Sequence, residues 1–506
     1  MQPSKPQLTA EKPPQSPSAG AGRWRLHLSR FDRFVFLVIL LLLGTIGLTI
    51  LLGDRVGVTL ERVGPLGTAR ATSTIVIQFS ENMNRDTVPA RLRVAQLSPE
   101  QVDQPIGEES LEGEVFGTVS WNGSTISFRP SEALDPGATY TVILQPGAES
   151  ENGRKVLSEY RFSFNVRSPR IAYLAPANSV PYNLWIADPA DPTSVQQITA
   201  SPSGIYDYGI SPDGTKIAFS ERNSNSGTND IKLLDLESGT LEQLTNCVDA
   251  ECKTPVFRPD GQVIAYERID LNSDLSNVGA SPTRIWLLDL STRPATTRPM
   301  FEDSQLLGYY LRWSQNGSRV SVFDYASQGI LVYDFTDQST VIIPSQYGNP
   351  GEISPDGTRI VFPEIQLSEN QATSYLQMVD LSTQELIRLS NPDDPVDDDV
   401  GIWSPDGTYL VIGRRYLDER YTRGRQLFKL NPDDLSSEPL VFDDKYTNGV
   451  FSFDPTGTQL LIQRFPDPIA MDDPNNMGLP EVWVYNMETQ SLVKVADNAF
   501  FPRWVP

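Results

Sequence analysis

Histidine is almost absent from this chain, which contains one in 506 residues, His27. That residue lies in an N-terminal tail rich in proline, serine and alanine. The remainder of the chain has no imidazole for a Ser-His-Asp triad, for a general base or for a histidine-containing metal site. A mechanism based on two carboxylates, as used by glycosidases, needs no histidine and stays open.

Cysteine is nearly as scarce, since Cys247 and Cys252 are the only two. A metal site would need more ligands than this pair supplies, and we predict no metal and no cofactor. In an oxidising compartment the two can form a local disulfide, and two free thiols are the alternative. Such a bond would close a small loop and add little to global stability.

Basic residues are also few, with 41 Lys and Arg against 64 Asp and Glu, for a net charge of −23. This balance argues against nucleic-acid binding and favours a soluble, self-repelling surface. The acids gather at 393–399, at 443–444 and around Asp467 with 472–473. Clustered oxygens suit Ca²⁺ in principle. The densest run lacks the Asp-x-Asp-x-Asp-Gly order and is interrupted by Pro395, so we predict a solvated loop there.

One long uncharged run is present, at residues 34–53. Twenty residues at ~1.5 Å each reach about 30 Å, enough to cross a bilayer core. Six basic and two acidic residues precede it. The positive-inside rule therefore predicts a disordered cytoplasmic tail at 1–33, a single transmembrane helix at 34–53, and an extracytoplasmic remainder. A cleaved signal peptide is the alternative, although the run is longer than a usual h-region and no Ala-x-Ala site follows it.

The tetrapeptide Ser-Pro-Asp-Gly recurs through the C-terminal two-thirds of the chain. Intact copies stand at 211–214, 354–357 and 404–407, and degenerate copies at 258–261, 314–317 and 454–457. Proline presets φ at the first corner, Asp or Asn tolerates the second, and Gly takes a positive φ before the next strand. The period of 40 to 56 residues is typical of propeller blades.

Apolar strands flank each turn, and two further short strands complete each repeat, which predicts one antiparallel sheet per repeat. Second strands are predicted to start near residues 171, 217, 263, 319, 359, 409 and 459. The pattern resembles the TolB-type, WD-repeat-like β-propeller family over residues 170–506. The strand count predicts seven blades, with six as the alternative because the namesake of the family has six. The last residues, 501–506, look like an inner strand, so we expect the C-terminus to complete the first blade and close the ring.

Residues 60–168 contain another set of strands, whose spacing predicts a β-sandwich. The stretches Phe-Ser-Glu-Asn-Met-Asn at 79–84 and Leu-Asp-Pro-Gly-Ala-Thr-Tyr at 134–140 resemble the SbsA-type bacterial Ig-like domain of S-layer and surface proteins. The resemblance implies a mechanical role, a spacer that lifts the propeller off the membrane. A binding role of its own is the alternative. The predicted fold class is therefore mainly β: an Ig-like sandwich followed by a propeller, behind one transmembrane helix.

Insertions in the repeats gather between second and third strands, at 221–229, 268–282, 364–373, 414–424 and 465–479. In a propeller these loops share one rim, and long loops on a rigid scaffold often carry binding sites. The insertion at 414–424 breaks the acidic trend with residue types favoured at protein contacts. The candidate binding residues are Arg414, Arg415, Tyr416, Arg420 and Tyr421. A surface hairpin whose charges are cancelled by neighbouring acids is the alternative.

These patterns predict a non-catalytic, membrane-anchored binding or scaffolding protein, whose partner is an envelope protein, a peptide or a glycan. One alternative is a carbohydrate-active enzyme that uses carboxylates. Another is an accessory subunit of an envelope sensory or assembly complex. Oligogalacturonate lyases, among similar propellers, depend on histidine ligands that this chain lacks. Most of this functional prediction rests on analogy with proteins of similar fold, and a fold alone does not determine function.

Overall fold

The structure is a computed structural model that describes residues 29–53, 57–97, 113–272, 278–303, 305–367, 372–391, 394–469 and 478–506. His27, most of the predicted tail, Asp393 and the pair 472–473 lie outside the described residues. The described chain is mainly β. It contains one α-helix, one short 3-10 helix at Pro89–Arg91, and strands that form nine four-stranded sheets.

The α-helix, α1, spans Arg30–Gly53 and so begins before the predicted start at Phe34. A reciprocal cap explains the earlier start. The backbone N–H of Asp32 donates to Ser29 Oγ at 3.1 Å, and the N–H of Ser29 donates to Asp32 Oδ2 at 2.9 Å. The stretch Arg30–Leu48 is apolar and long enough to cross a membrane, and a signal sequence near an N-terminus has the same properties.

Two sheets form a sandwich in the segment that follows. The strands of this segment, in chain order, are β1 (Leu60–Gly64), β2 (Gly67–Ala69), β3 (Ile75–Phe79), β4 (Leu92–Ala95), β5 (Gly117–Asn122), β6 (Thr125–Pro130), β7 (Thr139–Leu144) and β8 (Tyr160–Val166). One sheet has the order β1-β3-β6-β5 and the other β2-β8-β7-β4. Alternate residues of β3 are buried, as expected of a strand with one face on a core, and Ile77 and Phe79 pack in one cluster with Val142 and Phe164 of the opposite sheet.

The remaining strands form seven four-stranded sheets, which we number in chain order. Sheet 1 holds β9 (Arg170–Ala175), β10 (Asn183–Asp188) and β11 (Asp191–Gln197). Sheet 2 holds β12 (Ile205–Ile210), β13 (Lys216–Arg222), β14 (Asn229–Asp235) and β15 (Leu241–Gln243). Sheet 3 holds β16 (Ala250–Phe257), β17 (Val263–Asp270), β18 (Arg284–Asp289) and β19 (Thr296–Pro299). Sheet 4 holds β20 (Tyr309–Trp313), β21 (Arg319–Asp324), β22 (Gly329–Asp334) and β23 (Thr340–Pro344).

The last three sheets follow the same plan. Sheet 5 holds β24 (Glu352–Ile353), β25 (Arg359–Leu367), β26 (Ala372–Asp380) and β27 (Leu386–Arg388). Sheet 6 holds β28 (Val396–Trp403), β29 (Leu410–Tyr416), β30 (Gln426–Leu430) and β31 (Ser437–Val441). Sheet 7 holds β32 (Tyr446–Phe453), β33 (Gln459–Pro466), β34 (Glu481–Asn486) and β35 (Leu492–Ala496). The final strand, β36 (Phe500–Val505), pairs antiparallel with β9, with Trp504 opposite Ile171, and becomes the fourth strand of sheet 1.

Seven apolar clusters lie between these sheets, and each joins two consecutive ones. The cluster between sheets 7 and 1 contains Ile171, Leu461, Val484 and Trp504. The first strands of most neighbouring sheets touch one another, whereas outer strands such as β15 and β19 are exposed. We therefore call β12, β16, β20, β24, β28, β32 and β36 the inner strands.

The recurring tetrapeptide forms the turn that leads from the inner strand to the second strand. In the first copy, Ser211 Oγ donates to Asp213 Oδ1 at 2.6 Å and accepts the N–H of Lys216 at 2.8 Å. Gly214 has φ +61°, the left-handed region that only glycine enters without strain. The turn is thus specified locally, which is why its sequence recurs.

The sandwich contacts the face of the sheets that carries these turns. Arg70 donates to the carbonyl of Pro212, and Arg167 to the carbonyl of Asp213. Burial lowers the pKa of both guanidinium groups. A cavity of about 220 Å³ on the same face has Pro136 of the sandwich and Asp454 of sheet 7 in its wall. Because strands alternate in direction, the connections between second and third strands lie on the opposite face, which we call the loop face.

Candidate binding site

Arg414, the first of the candidate binding residues, is buried. It lies in β29 with 3% of its surface exposed, and its guanidinium donates to both carboxylate oxygens of Asp398 at 2.7 and 2.8 Å. Its third contact is to Ser437 Oγ at 2.7 Å. A guanidinium held on three sides inside the protein cannot bind an external partner, so the prediction for Arg414 needs correction.

The acidic run opposite this residue is not a solvated loop either. Asp397 and Asp398 lie in β28 and are buried, and the strand register places them opposite Arg415 and Arg414. Arg415 and Arg425 both donate to Asp397, at 2.7 and 2.9 Å. The solvated-loop prediction is therefore wrong for these two aspartates, because cross-strand pairing with arginines compensates for their burial.

The other candidate residues of the 414–424 loop are neutralised locally. Arg420 pairs with Asp418, and its guanidinium lies 3.7 Å from the centre of the Tyr416 ring. Tyr421 is exposed, with Arg415 at 5.9 Å from its ring centre. This arrangement favours the alternative of a self-compensated hairpin, and binding through Arg415, Tyr416, Arg420 and Tyr421 stays a prediction.

Cys247 and Cys252 are joined by a disulfide, and both are buried. Cys252 lies within β16, while Cys247 lies in the connection that precedes it. The disulfide therefore fixes the chain segment that leads into the inner strand of sheet 3.

A second group of candidate side chains comes from equivalent positions of the inner strands. Trp313, Ile353 and Trp504 lie at equivalent places in their inner strands, because each pairs with the corresponding residue of the second strand: Val320, Ile360 and Ile171. Arg312, Glu352 and Arg503 each come one residue earlier and so occupy one equivalent position. In the other sheets this position holds Gly209, Val256, Ile402 and Ser452. Arg312 and Glu352 lie 3.7 Å apart. Three sheets therefore carry a charged residue at the same position of the inner strand.

The position two residues earlier in the same strands lies at a β-bulge. Thr254, Tyr310 and Phe501 occupy it in sheets 3, 4 and 1, and they have positive φ values of 54°, 57° and 49°. Side chains rarely adopt this backbone region, and residues that do so concentrate at functional sites.

A side chain of the preceding sheet accepts the backbone N–H of each of these bulges. Asp207 Oδ2 takes the N–H of Thr254 at 2.8 Å, and Glu267 Oε1 takes that of Tyr310 at 2.7 Å. Gln463 Oε1 takes the N–H of Phe501 at 2.7 Å. In sheet 3, Phe257 at the end of the inner strand pairs with Ile264, and Glu267 comes three residues after Ile264. In sheet 7, Phe453 pairs with Leu460 and Gln463 comes three residues after it, so Glu267 and Gln463 occupy equivalent positions. The same type of hydrogen bond therefore links consecutive sheets, with either a charged carboxylate or a neutral amide as the acceptor.

The two carboxylates that accept these backbone N–H groups, Asp207 and Glu267, have raised pKa values. Burial raises the pKa of Asp207 to about 6, although Arg503 and the hydrogen bonds from Thr254 oppose the shift. Burial also raises the pKa of Glu267. Asp207 Oδ1 is buried and has no hydrogen-bond partner among the described residues. A half-satisfied buried carboxylate is expected where a ligand or water completes the hydrogen bonds.

Exposed tyrosines surround these carboxylates. Tyr206 is 57% exposed, Tyr310 54% and Tyr325 71%. Tyr309 joins two of them, with ring centres 4.7 Å from Tyr310 and 4.9 Å from Tyr325. Tyr325 itself lies in the short turn between β21 and β22, and so belongs to the loop face. We refer to Tyr206, Tyr310, Tyr325, Asp207 and Glu267 as the tyrosine–carboxylate site.

The tyrosine–carboxylate site lies outside the long insertions in which binding residues were predicted. A sequence signal exists only for the charged residues of the inner strands, since Arg312, Glu352 and Arg503 each stand one residue before an aromatic or aliphatic residue near the strand end. No group of three or more His, Cys, Asp or Glu residues suited to a metal ion occurs in the described part of the chain.

The charge of Asp207 gives a test of this electrostatic description. Its pKa is raised from 3.8 to about 6 in the folded protein, so its contribution to stability is greatest below pH 4 and is lost as the pH rises through 6. We expect Asp207→Asn to stabilise the protein by about 1 kcal/mol at pH 7.5 and by much less at pH 4, because the amide oxygen can still accept the N–H of Thr254. Urea denaturation at both pH values measures the difference. An equal effect at the two values would contradict the description.

One family model and one curated protein match parts of the chain. Residues 54–166 match the family model described as a bacterial Ig-like domain. Among curated proteins, dipeptidyl-peptidase 5 of Porphyromonas gingivalis is 34% identical over 110 residues, which is 20% of this chain. The chain spans only 15% of the length of that relative.

Solved structures resemble the chain more distantly. Oligogalacturonate lyase from Vibrio parahaemolyticus is 14% identical with a TM-score of 0.45, over 65% of this chain and 85% of that one. TolB from Acinetobacter baumannii is 18% identical with a TM-score of 0.36, over 75% and 95%. At TM-scores below 0.5, neither likeness decides what this chain does. What the comparisons establish is that the segment from 54 to 166 matches the bacterial Ig-like family.

Proposed function

We propose that this chain is a non-catalytic binding or scaffolding protein, anchored in the cell membrane by α1 with its bulk outside the cell. The Ig-like sandwich would act as the spacer. The seven sheets would form a seven-bladed propeller closed by β36, rather than the alternative six-bladed one. Support for closure comes from the pairing of β36 with β9 and from the apolar cluster between sheets 7 and 1.

The observation that carries the binding role is the convergence of polar and aromatic groups from several sheets at the inner strands. Arg312, Glu352, Arg503 and the tyrosine–carboxylate site come from five different sheets. Tyrosine and arginine are enriched where proteins bind partners. Rigid strands hold these groups, and rigid scaffolds lower the entropy lost on binding. We place the contact for an envelope protein or peptide at the tyrosine–carboxylate site on the loop face, with Arg312, Glu352 and Arg503 further along the inner strands toward the turns.

Photo-cross-linking on intact cells tests this role. With a photoreactive side chain at position 325, the full-length protein should capture a specific envelope protein or peptide. The same probe at Leu386, an exposed residue of the outer strand β27, serves as the matched control and should not. We expect Arg312→Ala to reduce capture from position 325 by about tenfold, the usual size of a contact arginine's contribution. Equal capture from positions 325 and 386 would contradict the proposed site.

A carbohydrate-active enzyme is the second candidate, and the pKa of Asp207 favours it. A carboxyl group that titrates near pH 6 can act as a general acid beside an ionised carboxylate such as Glu267. Hydrolysis of chromogenic glycosides by the full-length protein, lost in Asp207→Asn and Glu267→Gln, would establish the enzyme and overturn the non-catalytic proposal. We expect no turnover, because backbone N–H groups of neighbouring sheets already occupy one oxygen of each carboxylate.

A further inference from the structure

Building on the proposed function, we infer that the tyrosine–carboxylate site binds an ammonium group, presented as a lysine side chain by an extended segment of the partner protein. The ammonium would lie against the faces of Tyr310 and Tyr325 and approach the carboxylate of Glu267. The inference concerns the chemistry recognised, which the cross-linking experiment does not address.

Aromatic rings arranged around a carboxylate are suited to an organic cation. The face of a tyrosine ring carries negative charge and attracts a cation within about 6 Å of its centre. The protein already uses this interaction within the site, since Lys253 Nζ lies 5.1 Å from the ring centre of Tyr206. Tyr310 and Tyr325 have no such cation among the described contacts, and more than half of each side chain is open to solvent.

The electrostatic environment of the rings is negative. Burial raises the pKa of Tyr206, and the charges of Asp207, Glu267 and Glu251 raise it further. Burial and the charge of Glu267 likewise raise the pKa of Tyr310. Carboxylates thus lie close enough to both rings to disfavour additional negative charge and to favour a cation.

The carboxylates also have unused hydrogen-bonding capacity. An ionised carboxylate accepts up to about four hydrogen bonds. Glu267 receives one from the N–H of Tyr310 and interacts with the Thr254 side chain, and Asp207 Oδ1 has no partner within the described residues. An ammonium group brings three donors and a positive charge, which would add to the charge that Lys253 supplies to Glu267.

Two cations of the chain lie at the site, and one of them, Lys253, stands opposite Glu267 in the strand register. Lys253 lies 3.7 Å from Glu251, and the guanidinium of Arg503 lies over the ring of Tyr208 at 5.4 Å. Asp207, Glu251 and Glu267 together exceed these two positive charges by one. The chain as a whole has a net charge of −23, which would also steer a basic segment toward it.

The test uses the variant Glu267→Gln, which introduces the residue type that this protein already has at the equivalent position of sheet 7. Glu267→Gln removes the negative charge but keeps an acceptor for the N–H of Tyr310, as Gln463 does at the equivalent place in sheet 7. Full-length protein in detergent is titrated with N-acetyl-lysine amide, and with N-acetyl-norleucine amide as the uncharged control. Saturation-transfer NMR reports binding, and unchanged thermal unfolding verifies that the variant is folded.

We expect the wild type to bind the lysine probe at least tenfold more tightly than the norleucine probe, and Glu267→Gln to bind it about tenfold more weakly than the wild type. Equal binding of the two probes, equal binding by the two proteins, or no saturable binding of the lysine probe would overturn the inference. Cross-linking from position 325 on cells is measured in parallel. Persistent capture with any of these three results would refute the lysine site alone, whereas absence of capture would refute the proposed function.

Discussion

Replacing Asp398 by alanine is expected to lower the free energy of unfolding by about 3–5 kcal/mol, the size measured when one partner of a buried ion pair is removed. Asp398 is fully buried and accepts three hydrogen bonds, two from Arg414 and one from Ser390 Oγ at 2.6 Å. The variant would leave a buried guanidinium without a counter-charge. Chemical denaturation followed by tryptophan fluorescence measures the loss.

Two further variants make the result specific. Asp418→Ala removes an exposed partner of Arg420 and should leave stability essentially unchanged, because exposed ion pairs contribute little. The double variant Asp398→Leu/Arg414→Met should regain much of what the single variant loses, because it removes both charges. If Asp398→Ala were as stable as Asp418→Ala, Arg414 would not be held inside the protein and would return as a candidate for binding a partner.

Removal of residues 500–506 is the second change with a large expected effect. We expect the seven sheets to unfold at a clearly lower temperature, because β9 would expose an unpaired edge and the cluster between sheets 7 and 1 would lose Trp504. Trp504→Ala is the milder version and should cost about 3–5 kcal/mol, since the indole is 7% exposed and its Nε1–H donates to the carbonyl of Ser452 at 3.2 Å. Thermal unfolding monitored by circular dichroism measures both.

The matched control is Phe442→Ala, at an aromatic residue that is 55% exposed. Its melting temperature should stay close to that of the wild type. A truncated chain that unfolds like the full-length protein would contradict closure of the assembly by β36, and with it the seven-bladed propeller proposed above.

The repeat region could be predicted from sequence to within a residue or two at many strand starts. The second strands begin at Arg170, Lys216, Val263, Arg319, Arg359, Leu410 and Gln459, close to the predicted positions. The reason is that the turn residues act locally. A glycine with positive φ and a serine that hydrogen-bonds within its own turn impose the same reversal wherever they occur.

The burial of Arg414 could not be predicted from the sequence, and its position in the sheet shows why. Arginine and tyrosine in an insertion are typical of a protein contact, but Arg414 lies opposite Asp398 in the sheet register. No property of either residue taken alone reveals that pairing. Conversely, Tyr310 and Glu267 are 43 residues apart, and nothing in their local sequences links them before sheets 3 and 4 pack together.

The amino-acid sequence was therefore sufficient for what depends on neighbours along the chain: the apolar helix, the turns, the alternating strands and the number of repeats to look for. Which charges are buried, which aromatic rings remain open, and which carboxylate meets which backbone N–H depended on packing between sheets. Burial and Coulomb interactions act through space between residues far apart in sequence, so only the folded chain assigns Arg414 to the interior and the tyrosine–carboxylate site to the loop face.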